Sequence, residues 1–443
     1  MTKLDFPKDF LWGVATASYQ VEGAAYEGGR EPSIWDVFAR KPGAVHAGEN
    51  GDVACDQYHR YKEDVALMAK LGFKSYRFSL SWVRIIHAAT GEVNKAGVEY
   101  YRALCAELHT YGIQACATIY HWDLPQLLQE QGGWAARSTA LAYAEYAKVC
   151  FRELGDCVDR WLTLNEPYCI AYLGYYAGVH APGIRDLAQA VNAVHHLNLG
   201  HGLAVSAYRK TGLAAPIGIT WNMSTPRPAT LRKEDSEAAA ILKAVESEVF
   251  VHPVLGKGYP EIYTKKLGFK FPVESGDLDI IKSPIDFIGM NYYCENPAEY
   301  DGASPLLAKT AESWQNTSAM GWYITPAGLL RQLRWMREIS NGLPLYVTEN
   351  GYANDDVVSG DGRVHDKPRI EYLQKHFDVC AQAIKEGINL KGYFAWSFMD
   401  NYEWAEGYTK RFGIVYVDYA TQKRVPKDSA YFFRDVMAGY AEW

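Results

Sequence analysis

Residues 75–120 contain two short apolar segments, SYRFSLSW at Ser75–Trp82 and QACATIY at Gln114–Tyr120, separated by a longer segment with helical periodicity. Both short segments are rich in β-branched and aromatic residues, which is typical of β-strands. Between them, Val98–Tyr111 places its apolar residues on one stripe of a helix and ends before Gly112. A strand, a helix and a second strand in this order predict two parallel strands joined by a crossover helix.

The same alternation continues in both directions along the chain. The other predicted strands are Phe10–Ala17, Arg160–Asn165, Pro216–Trp221, Asp286–Asn291, Leu343–Thr348 and Gly392–Phe398. The other predicted helices are Asp56–Leu71, Ser138–Leu154, Leu187–Tyr208, Lys233–Phe250, Ala327–Ile339, Ile370–Lys385 and Asp428–Tyr440. Eight strand–helix units are what a closed (β/α)8 barrel requires. An open doubly wound sheet is the alternative, but it usually has fewer strands, and the chain has no GxGxxG or GxxxxGK[ST] motif.

The sequence therefore predicts an α/β fold, a single (β/α)8 TIM barrel. Three long connections, residues 28–55, 292–325 and 400–425, follow the first, sixth and eighth strands. In a barrel these loops lie on the carboxyl-terminal face, where active sites form. Because no linker-like segment interrupts the pattern, residues 1–443 are predicted to form one catalytic domain.

Composition excludes several classes of protein. Lys plus Arg number 45 and Asp plus Glu number 52, and the resulting net charge of −7 argues against binding nucleic acid through overall positive charge. No apolar run of about 18 residues and no signal peptide is visible, so we expect no membrane partner and a cytoplasmic location. The eight cysteines form no CxxC pair, which fits reduced thiols and no bound metal. The composition is also compatible with a homo-oligomer.

Large polar or aromatic side chains stand at the ends of most predicted strands. They are Gln20, Arg77, His121, Trp122, Asn165, Glu166, Trp221, Asn222, Asn291, Tyr293, Glu349 and Trp396. Any one of them could simply end a strand. Together on one rim they would suit a neutral ligand with many hydroxyl groups whose flat faces stack on aromatic rings.

Two of these groups are carboxyls, Glu166 in WLTLNEP and Glu349 in LYVTENG. Taken alone, Glu166 fits the first turn of a helix and Glu349 fits the residue before an Asn-Gly turn. At the ends of strands four and seven they would instead form a facing pair, which is the arrangement that hydrolyses glycosidic bonds. Since the side chains are identical, their surroundings must assign the roles, and a nearby arginine such as Arg77 would keep one carboxylate ionised.

The chain closely resembles the glycoside hydrolase family 1 β-glucosidases over essentially its whole length. The motifs that carry the resemblance are FPKDFLWGVATASYQVEGA, SYRFSLSWVRI, YHWDLPQ, LTLNEP, MNYY, YVTENG and FAWSFMDNYEWAEGYTKRFGIVYVD. The resemblance implies a retaining, exo-acting β-glucosidase that needs no cofactor. Its implied substrates are aryl and alkyl β-glucosides and cello-oligosaccharides, from which it would release the terminal non-reducing β-D-glucosyl residue. Some β-galactosidase and β-fucosidase activity is implied as well.

The resemblance also implies a role for each residue that matches a family motif. Glu349 would be the nucleophile and Glu166 the acid/base, while Arg77 and Tyr293 would hold and polarise the nucleophile. Substrate-binding residues would be Gln20, His121, Trp122, Asn165, Asn222, Asn291, Trp396, Glu403 and Trp404.

Two alternative functions are compatible with the same fold. The first is a catalytically inactive sugar-binding barrel, which the presence of both glutamates and Arg77 disfavours. The second is a 6-phospho-β-glycosidase. It is disfavoured by Glu403 and Trp404 in the loop after strand eight, because the phosphate-binding relatives resemble one another in a serine, lysine and tyrosine set there.

Overall fold

The computed structural model describes residues 6–312 and 316–440. The strands are β1 (Leu11–Ala15), β2 (Ser75–Ser79), β3 (Gln114–Tyr120), β4 (Arg160–Asn165), β5 (Ile217–Asn222), β6 (Phe287–Asn291), β7 (Ala298–Tyr300), β8 (Ala308–Thr310), β9 (Leu345–Asn350), β10 (Leu390–Trp396), β11 (Val415–Asp418) and β12 (Lys423–Pro426). The α-helices are α1 (Ser18–Val21), α2 (Ile34–Phe38), α3 (Gln57–Lys70), α4 (Trp82–Ile85), α5 (Lys95–Thr110), α6 (Gln126–Glu130), α7 (Arg137–Leu154), α8 (Leu187–Arg209), α9 (Lys233–Lys243), α10 (Val249–Val254), α11 (Glu261–Lys265), α12 (Asp277–Ile281), α13 (Pro326–Ile339), α14 (Lys367–Lys385) and α15 (Asp428–Met437). Segments Cys169–Gly174 and Ala244–Glu248 are π-helical.

Eight of the strands close into a parallel barrel. Around the barrel they follow the order β1-β10-β9-β6-β5-β4-β3-β2, so each strand neighbours the next barrel strand in the chain. The longer helices lie between successive barrel strands, as right-handed crossovers require. The predicted (β/α)8 TIM barrel is therefore confirmed. No helix within residues 6–312 or 316–440 is long and apolar enough to cross a membrane.

The seventh barrel strand begins and ends two residues later than predicted. Pro344 has no N–H group and precedes the strand, although its carbonyl accepts a hydrogen bond from the Ile288 amide (2.9 Å). Pairing with β6 and β10 then continues as far as Asn350. As a result Glu349 is a strand residue rather than the start of a turn, and its side-chain direction is set by the barrel.

Two other differences concern the connections. The predicted helix Lys233–Phe250 is interrupted at Ala244–Glu248, where the backbone takes a π-helical turn. The predicted long loops contain two antiparallel hairpins, β7–β8 and β11–β12, whose three- and four-residue strands are too short to show a period in the sequence.

Candidate active site

A cavity of about 540 Å³ opens at the carboxyl-terminal ends of the barrel strands. Most of the residues predicted to form a site line it: His121, Trp122, Asn165, Glu166, Asn222, Asn291, Tyr293, Glu349, Trp396, Glu403 and Trp404. Of the others, Arg77 lies directly behind the wall against Glu349 and Gln20 against Glu403, whereas Trp221 does not line the cavity. The barrel thus brings together side chains that are more than 300 residues apart in the sequence.

Glu349 is held by two donors of different kinds. The Arg77 guanidinium donates to Oε1 at 2.6 Å, and the Tyr293 hydroxyl donates to Oε2 at 2.7 Å. The side chains of Arg77 and Glu349 are only 1% and 4% exposed, so water screens their attraction little. Both carboxylate oxygens are therefore fixed in position by charge-assisted hydrogen bonds.

Arg77 cannot rotate away from this carboxylate, because its other nitrogen atoms are also bonded. Its Nε donates to Thr118 Oγ1 at 3.1 Å and its Nη2 donates to Asn165 Oδ1 at 2.6 Å. A further bond runs from Nη1 to the Thr348 carbonyl oxygen at 3.2 Å. One buried side chain from β2 thus ties together the ends of β3, β4 and β9.

Glu166 has only neutral hydrogen-bond partners. It directly follows β4 with a positive φ of 48°, a left-handed conformation that costs about 1 kcal/mol or more for a residue with a side chain. Its Oε1 accepts from Asn291 Nδ2 at 2.7 Å, and its Oε2 accepts from the Cys169 thiol at 3.2 Å. No arginine or lysine of the described chain forms an ion pair with it.

These surroundings separate the two carboxyls electrostatically. Burial raises the pKa of both groups, because a low dielectric disfavours the charged form. At Glu349 the positive charge of Arg77 and the hydrogen bond from Tyr293 counteract that rise. At Glu166 the negative charge of Glu349 raises the pKa further. Glu349 is therefore the group that ionises, and Glu166 is the group that keeps a proton.

Hydrogen bonds fix the amide and imidazole orientations beside this pair. Asn165 Oδ1 accepts from Arg77 and from Asn291 Nδ2, so Asn165 Nδ2 must be the donor to His121 Nε2 at 3.0 Å. Burial, and next the charge of Arg77, lower the pKa of His121 well below its usual value. The ring is thus neutral with its proton on Nδ1, and this buried N–H has no partner among the described residues.

Gln20 presents the complementary acceptor. It lies in α1, and its Nε2 donates to the Tyr402 carbonyl at 2.8 Å and to Asn401 Oδ1 at 3.0 Å. Its Oε1 is buried and has no partner in the described part of the chain. Buried polar atoms without partners are rare in folded proteins. A free acceptor on Gln20 and a free donor on His121 are suited to a ligand hydroxyl group, which both donates and accepts.

Aromatic rings surround these polar groups. The Trp122 and Trp404 ring centroids lie 4.5 Å apart, and both residues have positive φ, 81° and 50°. Trp396 ends β10 with its ring 5.8 Å from the His121 ring and nearly parallel to it. A Cβ atom at Gly351 would lie 1.7 Å from the Trp396 carbonyl oxygen, so glycine is required where the chain leaves β9. Two of the rings that face the cavity are thus carried by residues in a strained backbone conformation.

The sequence did not predict the outer wall of the cavity. That wall is formed by Tyr168, Cys169, Leu173, Met223, Glu246, Cys294, Met320, Trp322 and Phe412. Cys169 could have been found, since it lies three residues after Glu166 and so about one helical turn away. The others come from separate loops and helices, and no local pattern relates them.

The cavity is acidic. No lysine or arginine of the described residues lines it, whereas five glutamates do: Glu166, Glu246, Glu349, Glu403 and Glu406. Burial, and then the charges of Glu349 and Glu166, raise the pKa of Glu403 to about 8. Within residues 6–312 and 316–440, no group of three or more His, Cys, Asp or Glu side chains is arranged to hold a metal ion.

Comparison with known proteins agrees with this geometry. The sequence profile of glycosyl hydrolase family 1 matches residues 2–440. β-Glucosidase A of Thermotoga maritima is 47% identical over 98% of this chain and 97% of its own length. A bifunctional β-D-glucosidase/β-D-fucosidase of Bifidobacterium breve is 42% identical over 98% of this chain and 99% of its own. The solved structure of a family 1 β-glucosidase from Thermotoga maritima superposes with a TM-score of 0.97, 46% identity and full coverage of both chains. The family resemblance predicted from the sequence is confirmed.

Proposed function

The chain belongs to glycosyl hydrolase family 1, and from that premise we propose that Glu349 and Glu166 perform a retaining double displacement on terminal β-D-glucosyl residues. The protein is a β-glucosidase, and its proposed substrates are aryl and alkyl β-glucosides and cello-oligosaccharides. The observation that carries the residue assignment is the unequal environment of two buried carboxyls. One is fixed by an arginine and a tyrosine hydroxyl, and the other meets only neutral donors.

In the first step, the Glu349 carboxylate attacks the anomeric carbon while protonated Glu166 gives its proton to the leaving oxygen. The product is a glycosyl ester of Glu349. Its formation removes the negative charge that raised the pKa of Glu166, so that pKa falls and Glu166 becomes a suitable base. In the second step Glu166 takes a proton from water, and the water oxygen displaces Glu349. Two inversions give net retention.

The unpartnered atoms of Gln20 and His121 supply the hydroxyl-binding pair on the glycone side, beside Glu403 and Trp404. Asn165 lies between His121 and Arg77 and would bind the hydroxyl next to the anomeric carbon. Trp396 would stack beneath the sugar ring. The remaining substrate contacts fall to Trp122, Asn222 and Asn291, which line the same cavity.

Activity on β-galactosides and β-fucosides is part of the proposal, and the name of the bifunctional relative supports the fucosidase part. An inactive sugar-binding barrel is disfavoured by the retention of both carboxyls with their hydrogen-bond partners. A cytoplasmic location is also proposed, and it is supported by eight cysteines that are all unpaired. Cell fractionation tests it.

The stereochemistry of the first product tests the mechanism. An aryl β-glucoside is hydrolysed inside an NMR tube and the anomeric proton of the released glucose is followed before mutarotation. We expect the β-anomer to appear first and the α-anomer to grow in later. Initial release of the α-anomer would mean that water attacks directly and that Glu349 is not a nucleophile.

A further inference from the structure

Glu246 is a cavity carboxyl that the hydrolytic mechanism does not use. It lies in the π-helical turn Ala244–Glu248, between α9 and α10, where the sequence alone predicted an unbroken helix. A π turn accommodates an extra residue and redirects the side chains around it, and such turns occur frequently at functional sites. Here the turn places Glu246 in the wall of the cavity that Tyr168, Cys169 and Cys294 also line. Burial raises the pKa of all three, and the charge of Glu246 adds to the rise.

The charge of Glu246 is not compensated. It forms no ion pair with a described residue, because Lys243, one turn earlier, pairs with Glu248 instead, at 3.0 Å. Burial raises the pKa of Glu246 to about 7, against the opposing effect of a hydrogen bond from Ser224. An unpaired carboxyl that opens into a cavity costs free energy unless a ligand satisfies it. Above that pKa the group is a carboxylate without an ion-pair partner among the described residues.

The position of Glu246 assigns it to the leaving group. Cys169 donates to Glu166 Oε2, the carboxyl that protonates the leaving oxygen, and Glu246 lies beyond Cys169 on the same wall. The glycone contacts lie on the other side, where Gln20 bonds to Glu403. A leaving group that points away from the glycone therefore extends toward Glu246.

We propose that Glu246 determines leaving-group specificity by accepting a hydrogen bond from the aglycone, and that it favours an aglycone carrying a positively charged amine, such as an amino sugar or an aminomethylaryl group. This inference rests on the proposed β-glucosidase function. A cation meets the unpaired carboxylate directly, and no lysine or arginine of the described chain lines the cavity to oppose it. A neutral hydroxyl in the same place forms only the weaker hydrogen bond.

The test compares 4-(aminomethyl)phenyl and 4-(hydroxymethyl)phenyl β-D-glucosides, which share a glycone and nearly the same shape. The measured quantity is the ratio of their kcat/KM values at pH 7.5, amine over alcohol. Glu246→Gln keeps the size of the side chain and removes the charge, and we expect it to lower this ratio about tenfold. Glu234→Gln is the matched control, because Glu234 lies on the preceding helix α9, is exposed and does not line the cavity, and it should leave the ratio unchanged.

An unchanged ratio in Glu246→Gln, with both substrates still hydrolysed, would overturn the inference and leave the β-glucosidase assignment intact. Failure of the unmodified protein to hydrolyse either glucoside would overturn both. If Glu246→Gln does not fold, as judged by its circular dichroism and thermal melting, the inhibition of the unmodified protein by two small molecules tests the inference instead. Benzylammonium should then inhibit several-fold more strongly than benzyl alcohol, and equal inhibition would contradict the inference.

Discussion

The inner and outer halves of the cavity are built in different ways. In the inner half, Arg77, Asn165, Asn291 and Glu349 project from barrel strands or their last residues, and each forms two or more hydrogen bonds to the others or to strand neighbours. In the outer half, Cys169 and Glu246 project from two π-helical turns, and Met320 and Trp322 project from the connection between β8 and α13. Few hydrogen bonds link these outer groups.

The inner half thus serves catalysis, and the outer half serves the selection of substrates. The inner groups must hold a carboxylate and a sugar ring within a fraction of an ångström, and strand ends that share one hydrogen-bond network supply that precision. The outer groups meet leaving groups of varied shape, and loops of separate origin tolerate change there. Substitutions in the inner half should therefore affect kcat and its pH dependence. Those in the outer half, apart from Cys169 in contact with Glu166, should affect the ranking of substrates.

The largest effect is expected from Glu349→Ala. Loss of the proposed nucleophile should lower kcat/KM for an aryl β-glucoside by about 10⁵-fold. Alanine leaves space on the face of the sugar where Glu349 attacked, so added azide should restore turnover of an activated substrate and yield the α-glucosyl azide. NMR of the product checks this.

Glu166→Ala is the matched control for that experiment. Its glycosyl ester still forms from an activated substrate, and azide should then attack the opposite face and give the β-glucosyl azide. Azide products of the same configuration from both variants would show that the two glutamates do not hold the roles proposed for them.

A large effect is also expected from a phosphate on the glycone. The kcat/KM for an aryl β-glucoside should exceed that for its 6-phosphate by about 10³-fold or more, because like charges brought together in a cavity cost several kcal/mol. The raised pKa of Glu403, about 8, shows that this pocket already resists further negative charge. Parallel steady-state assays with one aryl leaving group measure the ratio.

Glu403→Ser should narrow that ratio, since it removes the carboxyl that lies nearest Gln20 and Trp404 on the glycone side. Lys410 does not relieve the repulsion, because its Nζ is bonded to the Ala319 carbonyl at 2.8 Å and it does not line the cavity. Faster turnover of the phosphorylated substrate by the unmodified protein would contradict the proposed specificity.

An intermediate effect is expected from Tyr293→Phe. The variant removes the 2.7 Å hydrogen bond to Glu349 Oε2 and should lower kcat by about 10- to 100-fold, the range for a hydrogen bond to a charged group. That bond lowers the pKa of Glu349, so its loss raises the pKa, and the acidic limb of kcat/KM should move to higher pH. A pH profile on an activated aryl glucoside shows the shift.

Tyr172→Phe provides the comparison. It removes a buried tyrosine hydroxyl that bonds to the Tyr263 hydroxyl at 2.7 Å and touches neither carboxyl. The acidic limb of kcat/KM should stay at the same pH in the Tyr172→Phe variant as in the unmodified protein. An acidic limb that moves equally in both variants would point to a general change in the fold rather than to the Glu349 contact.

The sequence predicted the inner half well and the outer half poorly, for a physical reason. Glu166 and Glu349 occupy fixed places relative to strands, and once eight strands close into a barrel their ends must meet. Glu246 depends on where a helix takes an extra residue, and Lys233–Phe250 shows an uninterrupted helical pattern in the sequence. Hydrogen-bond assignments such as the His121 tautomer also needed the structure, because they follow from Arg77 reaching across three strands.

The smallest effect is expected where the two halves meet, at Cys169. Its thiol donates to Glu166 Oε2 at 3.2 Å and so favours the ionised form of Glu166. Activity is lost as pH rises through the pKa of Glu166, because the deprotonated group has no proton to give. Cys169→Ala removes the donor, raises that pKa and should move the alkaline limb of kcat/KM upward by a few tenths of a pH unit. Cys169→Ser introduces a stronger donor and should move the limb downward.

Cys294→Ala, which alters another thiol of the outer wall without touching Glu166, should leave the alkaline limb in place, and Glu166→Gln should abolish it on an activated aryl glucoside. Shifts of the same sign in the alanine and serine variants would show that Cys169 acts through packing and not through its hydrogen bond. Opposite shifts would establish that a residue of the outer wall tunes the acid on which the inner half depends.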